Sequence, residues 1–208
     1  LQNEEVASTR RNFANSMLNW PEGGCPALRP IGMIDGGVDT NAPALAAARV
    51  INRDFAAGSE DSLRHGTEVA SVMADPSRLK NLELFSANVI GRDTSGQDAA
   101  GASAIILALD WLTQQNVSLI NVSLAGPRNK LLNLAIDSAS TKGATLVAAA
   151  GNQGRAAPPQ FPAAFARVIA VTAVDAGKRA YRQAVRGPHI DIAAPGVDVF
   201  VGSPSDGR

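Results

Sequence analysis

The chain has 208 residues, which suits one domain, and 45% of them are hydrophobic while only 4% are aromatic. We therefore expect a core of Ala, Val, Leu and Ile side chains. The 19 Lys and Arg residues balance the 19 Asp and Glu residues, which argues against a nucleic-acid-binding protein or a polybasic membrane-binding module.

The scarcity of Cys and His excludes two kinds of site. A single cysteine, Cys25, cannot form an intrachain disulfide, and two histidines cannot make a three-histidine metal site. No run approaches the ~18 apolar residues of a membrane span. Because the first residue, Leu1, is not an initiator methionine, we expect a processed or excised chain from which any targeting segment has been removed.

Residues 1–29 are predicted to form a peripheral helix followed by a loop. A segment rich in Pro and Gly at 20–24 would end this helix. Four apolar residues can line one of its faces: Val6, Phe13, Met17 and Leu18. Residues 30–208 are predicted to form the main domain.

Beyond residue 30, short apolar runs alternate with helical segments. The runs are rich in β-branched residues and do not alternate with polar ones, which is typical of strands covered on both faces. They are 31–34, 84–90, 118–124, 145–150 and 168–174, and the helical segments are 66–74, 102–115 and 131–142. This alternation predicts an α/β fold with a doubly wound, mostly parallel sheet flanked by helices.

Polar residues that can do chemistry follow two of these strands and begin one helix. Functional groups in such sheets gather beyond the carboxyl ends of the strands. Asp35 follows the first strand, His65 begins the first helix, and Asn152 follows the 145–150 strand between glycines. Taken singly, each is also explained as a turn, cap or solvated residue. Glu68 lies three residues after His65, but without a third His or Cys nearby we expect no metal site there.

Small residues follow the 118–124 strand. They leave backbone N–H and C=O groups open to pairing with an extended peptide, although an ordinary strand terminus looks the same. A further short strand is predicted at 190–197, where Pro195-Gly196 makes a turn.

In their fixed order these motifs resemble those of the subtilisin-like serine proteases, over about residues 30–200. The motifs are Asp35-Gly-Gly-Val-Asp39, His65-Gly-Thr-Glu-Val-Ala70, Asn121-Val-Ser-Leu-Ala-Gly126, Ala149-Ala-Gly-Asn152 and Ala193-Ala-Pro-Gly196. The resemblance implies the subtilisin-like fold and peptide-bond hydrolysis by an Asp-His-Ser mechanism in that chain order.

The resemblance also implies a role for each matching residue. Asp35 would orient the imidazole, His65 would act as general base and acid, and Asn152 would donate to the oxyanion. The loop 154–160 would floor the pocket for the substrate residue before the scissile bond (P1), and 96–101 would pair with the residues before it. Two backbone edges would bind the substrate: Ser123, Leu124, Ala125 and Gly126 on one side, Ala150 and Gly151 with Asn152 on the other.

The nucleophile of this family is missing from the chain. Its serine lies in a Gly-Thr-Ser-Met-Ala-like motif about twenty residues after the Ala-Pro-Gly turn, which would fall beyond Arg208. Ser203 and Ser205 are disfavoured because activation requires reach to His65. We therefore expect the C-terminal part of the fold to be missing and, since the family's nucleophile helix packs on the sheet, an exposed apolar groove.

Three explanations of the missing serine stay open. The chain is a piece of a longer protease, a pseudoprotease that binds peptides without cutting them, or a fragment that pairs with a separate C-terminal chain. Retention of Asp35, His65 and Asn152 favours the first. A nucleotide-binding α/β domain is disfavoured, because no Gly-x-Gly-x-x-Gly or Walker-type loop follows a strand.

The expected partners are a protein or peptide substrate and either a propeptide or the missing C-terminal segment. No cofactor is expected. Calcium sites are common in the family, but no Asp- or Asn-rich loop of this chain marks one. The resemblance implies a secreted or extracytoplasmic protein.

Overall fold

The computed structural model of the chain describes residues 13–56, 63–92, 98–199 and 201. The helices are α1 (13–17), α2 (Leu63–Met73), α3 (Ala102–Gln114) and α4 (Lys130–Thr141), with a short 3-10 helix at Pro43–Leu45. The strands are β1 (Cys25–Pro26), β2 (Ile31–Asp35), β3 (Arg49–Asp54), β4 (Leu79–Lys80), β5 (Glu83–Asn88), β6 (Ile90–Arg92), β7 (Asp98–Ala100), β8 (Leu119–Val122), β9 (Thr145–Ala149), β10 (Val168–Val174) and β11 (Ile192–Pro195).

The main sheet has seven strands in the order β11-β10-β9-β8-β2-β5-β3. Every neighbouring pair in it is parallel. After β2 the chain adds strands on one side and then crosses back to add β8 to β11 on the other. The strand order therefore reverses between β2 and β8, where ligands bind in sheets of this kind. The predicted α/β fold with a mostly parallel sheet and flanking helices is confirmed.

The two faces of the sheet carry different helices. On one face α3 and α4 pack over residues such as Ile34, Ile120 and Leu146, all completely buried. On the other face α2 packs over Met33 and Leu84, which are also completely buried. Successive residues of β2 therefore point to opposite faces, as strand geometry requires.

The predicted strands and helices are present with small shifts in their bounds. The largest shift is at α2, which includes Leu63 and so begins before the predicted residue 66. His65 is therefore the third residue of the described helix rather than its first. The short strand predicted at 190–197 is present as β11.

The sequence prediction missed the edge strand β3, the β6–β7 hairpin, and the two-residue strands β1 and β4, which pair with each other. β3 is an edge strand whose sequence, RVINRD, is mostly polar, so it does not read as an apolar run. Apolar patterning predicts no strand between residue 90 and the helical segment at 102–115. Ala99 and Ala100 instead belong to β7, which pairs with β6, and α3 begins after the extended residue Gly101. The predicted substrate-pairing segment 96–101 lies partly outside the described residues.

The N-terminal segment is helical over 13–17 and is attached to the turn before β4. Asn15 donates to Ser77 Oγ (3.2 Å) and accepts from Arg78 Nε (2.8 Å), while Trp20 Nε1 donates to the carbonyl of Arg78 (2.9 Å). Val6, which we placed on this helix, lies outside the described residues. Within the described ranges every helix is too short or too polar to cross a membrane.

Candidate active site

Asp35 is the last residue of β2 and is completely buried. Its Oδ1 accepts a hydrogen bond from Gly36 N (2.6 Å) and lies 2.6 Å from His65 Nδ1. Its Oδ2 is buried and has no hydrogen-bond partner. A carboxylate withdrawn from water needs charge or hydrogen-bond compensation, and here the imidazole provides it.

A close approach of α2 to the loop after β2 brings His65 to Asp35. The next residue, Gly66, is buried, and a Cβ atom on it would lie 2.5 Å from Gly36 O and nearer still to Gly37 O. Only glycine permits this contact, because two backbone oxygens occupy the space of a side chain. The following residue, Thr67, is also buried, and its hydroxyl accepts from Asp39 N (2.9 Å).

The contact between His65 Nδ1 and Asp35 favours the imidazole tautomer that can act as a base. A neutral imidazole that donates its Nδ1 hydrogen to a carboxylate has its lone pair on Nε2, where it can accept a proton. The side chain of His65 is 60% exposed, so a substrate can reach it, whereas that of Asp35 is inaccessible. The pair thus combines a reachable base with a buried orienting group.

Asn152 lies in the turn that follows β9. Gly151 has a φ of 99°, a backbone conformation that favours glycine, and its carbonyl accepts from Val185 N (3.0 Å). Gly154 N donates to the carbonyl of Gln183 (2.8 Å), so the turn is held at both ends. The exposed Asn152 borders an open cavity of about 500 Å³ that extends to β10 and Asp198.

Asn152 lies at the same edge of the sheet as Asp35, because the strands run parallel and each residue lies at the carboxyl end of its strand. β8 separates β2 from β9. Two strand spacings correspond to roughly 10 Å between the ends of β2 and β9. The fold therefore brings the predicted carboxylate, imidazole and amide to one edge, with the first two in direct contact.

The first predicted substrate-binding edge, Ser123 to Gly126, follows β8. Ser123 N donates to the carbonyl of Ile34 (3.2 Å), and Asn121 Nδ2 donates to Ser123 Oγ (2.7 Å). The expectation of free backbone groups is wrong for Gly126, whose N–H and C=O both bond to Phe161 at 2.9 Å. A residue distant in sequence takes this position, which strand periodicity does not reveal. Leu124 and Ala125 lie between these bonded residues.

The second edge, Ala150 and Gly151, is buried. Ala150 N donates to the carbonyl of Val171 on β10 (2.9 Å). A Cβ atom on Gly151 would lie 2.9 Å from Cγ of Gln160 and 2.6 Å from Oε1 of Gln153. Gln160 ends the loop 154–160 that the resemblance places at the floor of the P1 pocket, but its contact with Gly151 is a tertiary contact that no local pattern predicts.

Glu68, the other residue considered beside His65, accepts a hydrogen bond from Arg64 Nε at 2.9 Å. In the part of the chain that the structure describes, no group of three or more His, Cys, Asp or Glu side chains is arranged to hold a metal ion.

Comparison with curated proteins gives consistent matches. Subtilisin DY of Bacillus licheniformis is 33% identical over 190 residues, covering 85% of this chain and 67% of the relative. A thermostable alkaline protease of Halalkalibacterium halodurans is 35% identical over 147 residues, covering 67% of this chain and 39% of the relative. The chain therefore spans about two thirds of the first protein and well under half of the second.

Solved structures give the same result. A cold-adapted subtilisin-like serine proteinase superposes with a TM-score of 0.73 at 27% identity, covering 91% of this chain and 68% of that one. The prenylagaramide maturation protease PagA, at 20% identity, shares the fold with a TM-score of 0.70 over 94% of this chain and 70% of its own. The model of the subtilase family matches residues 30–207, and the chain therefore belongs to the subtilase family.

Proposed function

We propose that this chain carries the general base, its orienting acid and the oxyanion donor of a serine endopeptidase. The observation that carries the proposal is the 2.6 Å contact between the buried Asp35 carboxylate and Nδ1 of the exposed His65. Membership of the subtilase family supports the same reaction class.

In the proposed mechanism a serine hydroxyl attacks the carbonyl carbon of the scissile peptide bond. His65 Nε2 takes the hydroxyl proton as the new C–O bond forms, and Asp35 stabilises the resulting imidazolium. Asn152 donates its side-chain N–H to the oxyanion of the tetrahedral intermediate. His65 then gives the proton to the leaving amine as the C–N bond breaks, and water hydrolyses the acyl-enzyme ester in the reverse sequence.

We place the nucleophile outside residues 1–208, on a helix that covers the α2 face of the sheet. An apolar groove of about 320 Å³ on that face supports this placement. In the register of the sheet, Leu119 lies beside Ile31, and Asn121 lies beside Val147. Leu119 is 39% exposed, whereas Ile120, which faces α3 and α4, is completely buried. A strand in the middle of a seven-stranded sheet is normally covered on both faces.

The position of the groove suits such a helix. Pro195 of β11 and Val199 line it, together with Leu18, which follows α1, and Met73 of α2. The 500 Å³ cavity beside Asn152 lies at the carboxyl edge of the sheet, where the start of the helix would present the serine.

A fluorophosphonate probe, which reacts with activated serines, tests the proposal on the full-length protein. We expect rapid labelling that His65→Ala reduces to the rate of a denatured sample, because the serine then lacks its base. Arg64→Ala, one residue away on the exposed side of α2, is the control and should label normally. Labelling that survives His65→Ala would refute the assignment of the base.

A peptide-binding domain without catalysis is the second candidate. It is favoured by the open space at Gly126, where a Cβ atom would meet nothing within 4 Å. This candidate predicts saturable binding of extended peptides without probe labelling, and loss of binding when Gly126→Leu fills the space. Normal labelling of the full-length protein would decide in favour of the protease.

We propose further that the protein acts outside the cytoplasm on protein or peptide substrates, in line with the resemblance described above. The other expected partner is a propeptide or the missing C-terminal segment. Detection of the mature protein in the culture medium of the source organism, by antibody against residues 1–208, would test the location.

A further inference from the structure

Three arginines lie close together at the edge of the sheet that carries Asn152. Two backbone hydrogen bonds, of 2.8 and 3.0 Å, join the turn 151–154 to the segment 183–185. The residue that follows the turn is Arg155, and the residues that flank the segment are Arg182 and Arg186. The backbone pairing therefore brings these three residues, here called the arginine rim, to one part of the surface.

The arginine rim has no charged partner within the described ranges. All three of its residues are exposed. The ion pairs between described residues all involve other side chains. Like charges that lie close together repel one another, so the rim is a region of positive potential that attracts anions.

The neutral composition of the chain conceals the local charge of this region. Residues 153–189 contain six Lys and Arg residues and one Asp, although the whole chain has 19 basic and 19 acidic residues. Two of the six form ion pairs with carboxylates, at 3.4 and 2.8 Å. The other four are the arginine rim and Lys178, which lies in the exposed turn after β10.

The arginine rim lies beside the cavity that begins at Asn152. Tyr181 and Ala184 line this cavity of about 500 Å³, and the exposed Arg182 follows Tyr181 in the turn between them. A hydrogen bond from Ala184 N to the carbonyl of Tyr181 (3.0 Å) closes that turn. Asp198 also lines the cavity, so the rim outnumbers the acidic residue at its border by three to one. We therefore expect a peptide bound at Asn152 to pass close to the rim.

We infer that the arginine rim binds acidic side chains of the substrate, so that the enzyme selects peptides and proteins with Glu or Asp within a few residues of the scissile bond. Guanidinium groups form paired hydrogen bonds with carboxylates, which makes arginine well suited to this recognition. The inference rests on the proposed function, because that function supplies the substrate. It concerns the charge of substrate residues that lie outside the catalytic contacts, against exposed side chains rather than in a pocket.

The test compares peptide substrates that differ only in a flanking Glu-Glu-Glu or Gln-Gln-Gln segment, using the full-length protein. The segment follows the scissile bond in one pair of peptides and precedes it in the other. At low ionic strength we expect kcat/KM to be about 10-fold higher for the Glu peptide of at least one pair, through a lower KM. This preference should fall below about 2-fold in 1 M salt, where the screening length is about 3 Å. Equal kcat/KM values within both pairs would overturn the inference.

A rim variant and a matched control separate the effect of the arginine rim from that of the total charge. The rim variant combines Arg155→Gln, Arg182→Gln and Arg186→Gln. It should reduce the Glu-to-Gln ratio of kcat/KM to about 1, because the attracting charges are gone. The control removes three exposed cations at the amino ends of β5, β9 and β10, on the opposite edge of the sheet, and combines Lys80→Gln, Lys142→Gln and Arg167→Gln. It should keep the preference. A preference that persists in the rim variant, or that is lost equally in the control, would contradict the assignment.

A binding measurement keeps the inference separate from the proposed function. Fluorescence anisotropy on the full-length His65→Ala protein, with and without the rim substitutions, measures affinity for the labelled peptides without turnover. Tighter binding of a Glu peptide that the rim substitutions remove supports the inference even if the protein does not cleave. Equal binding of the Glu and Gln peptides, or no binding of either, overturns it. Binding of a heparin fragment but not of the Glu peptides also overturns it, and would assign the rim to polyanions instead. Absence of fluorophosphonate labelling, by contrast, overturns the proposed function alone.

Discussion

Asp35 carries two hydrogen-bonding contacts on one carboxylate oxygen and none on the other. Gly36 N and His65 Nδ1 both lie 2.6 Å from Oδ1, while the buried Oδ2 has no partner. Burying a charge with one oxygen unsatisfied costs stability, so this arrangement is poor as a structural device. It is well suited to holding an imidazole that becomes charged during a reaction, as proposed here.

Asp35→Asn should therefore separate activity from stability. We expect kcat to fall by about 10⁴-fold, the size known for this change in Ser-His-Asp enzymes, because an amide that donates to Nδ1 holds the imidazole in the wrong tautomer. The thermal unfolding midpoint should stay level or rise, since a neutral group replaces a buried charge. Steady-state kinetics and differential scanning calorimetry measure the two effects. A large fall in the unfolding midpoint would mean that Asp35 is chiefly structural.

Substitution of Asn152 should reduce activity with little effect on stability, because its side chain is exposed and the backbone of its turn is held by Gly151 and Gly154. Asn152→Ala should lower kcat by about 10²–10³-fold with little change in KM, as expected for a donor to the transition state alone. Asn152→Asp, which keeps the shape but repels an oxyanion, should be at least as impaired. A change confined to KM would place Asn152 in ground-state binding instead.

The junction of β2 and α2 decides whether the imidazole reaches its carboxylate. Helix propensity by itself favours Ala over Gly by about 1 kcal/mol inside a helix. Packing opposes this at Gly66, where the carbonyl oxygens of Gly36 and Gly37 fill the space of a Cβ atom. Backbone oxygens cannot rotate away as a side chain can, so the packing term should dominate.

Gly66→Ala is therefore expected to destabilise the fold by about 1–3 kcal/mol and to reduce activity by displacing α2 from Asp35. Gly126→Ala is the matched control for stability, because its new Cβ atom would meet nothing within 4 Å. Urea unfolding of the two variants gives the comparison. Stabilisation of Gly66→Ala would show that the helix shifts freely and that the junction is not tight.

The turn after β10 supplies a pH-dependent contribution to stability. The backbone N–H of Arg179 donates to Asp175 Oδ1 and lowers the pKa of that carboxyl below its ordinary 3.8, with further help from the Arg179 guanidinium and Gly177 N. Because the pKa is lower in the folded state, this stabilisation is present above pH 3.8 and disappears as the pH falls through the folded-state value.

Asp175→Asn should accordingly lower the unfolding midpoint near neutral pH, and the difference from the original protein should vanish at the acid end of a titration. Thermal unfolding followed by circular dichroism between neutral and strongly acidic pH measures this. A difference of constant size over the whole range would attribute the effect to hydrogen-bond geometry alone.

Strands that are buried within the sheet could be predicted from the sequence, because burial requires apolar residues. β2 and β10 lie within the sheet and have apolar sequences, so their pattern identified them. β3 was missed because an edge strand needs only one neighbour and tolerates polar residues. The β6–β7 hairpin was missed because Ala99 and Ala100 suit a helix equally well and are extended only through pairing with β6.

The two faces of the main sheet are covered to different extents. One face is covered by α3 and α4, whereas the other has α2 at one side and an apolar groove bordered by Leu119 and Val147. Exposed apolar surface of this kind favours association with other apolar surfaces.

Residues 1–208 expressed alone should therefore bind the dye ANS and self-associate, whereas a longer protein that contains the proposed nucleophile helix should do neither. Leu119→Thr should weaken both effects in the 208-residue chain. Leu134→Thr is the control, because Leu134 is 63% exposed on α4, on the opposite side of the sheet. Dye fluorescence and sedimentation velocity are the measurements. A monomeric 208-residue chain without dye binding would show that the groove is closed in solution.

Local sequence patterns determine some features of this protein, and contacts between distant residues determine the others. The apolar runs, the helix between 102 and 115, and the polar residues that follow the strands depend on short-range composition, so they were readable from the chain. The motifs around Asp35, His65 and Asn152 are also local, and their resemblance to those of the subtilases predicted the family to which the chain belongs.

Contacts between residues far apart in the sequence are evident only in the folded molecule. The 2.6 Å contact of Asp35 with His65 requires α2 to press on the β2 loop at Gly66. The placement of Gln160 against Gly151 requires Phe161 to pair with Gly126, 35 residues away. Such contacts arise when the sheet closes and loops take the remaining space, and no local preference for helix or strand encodes them.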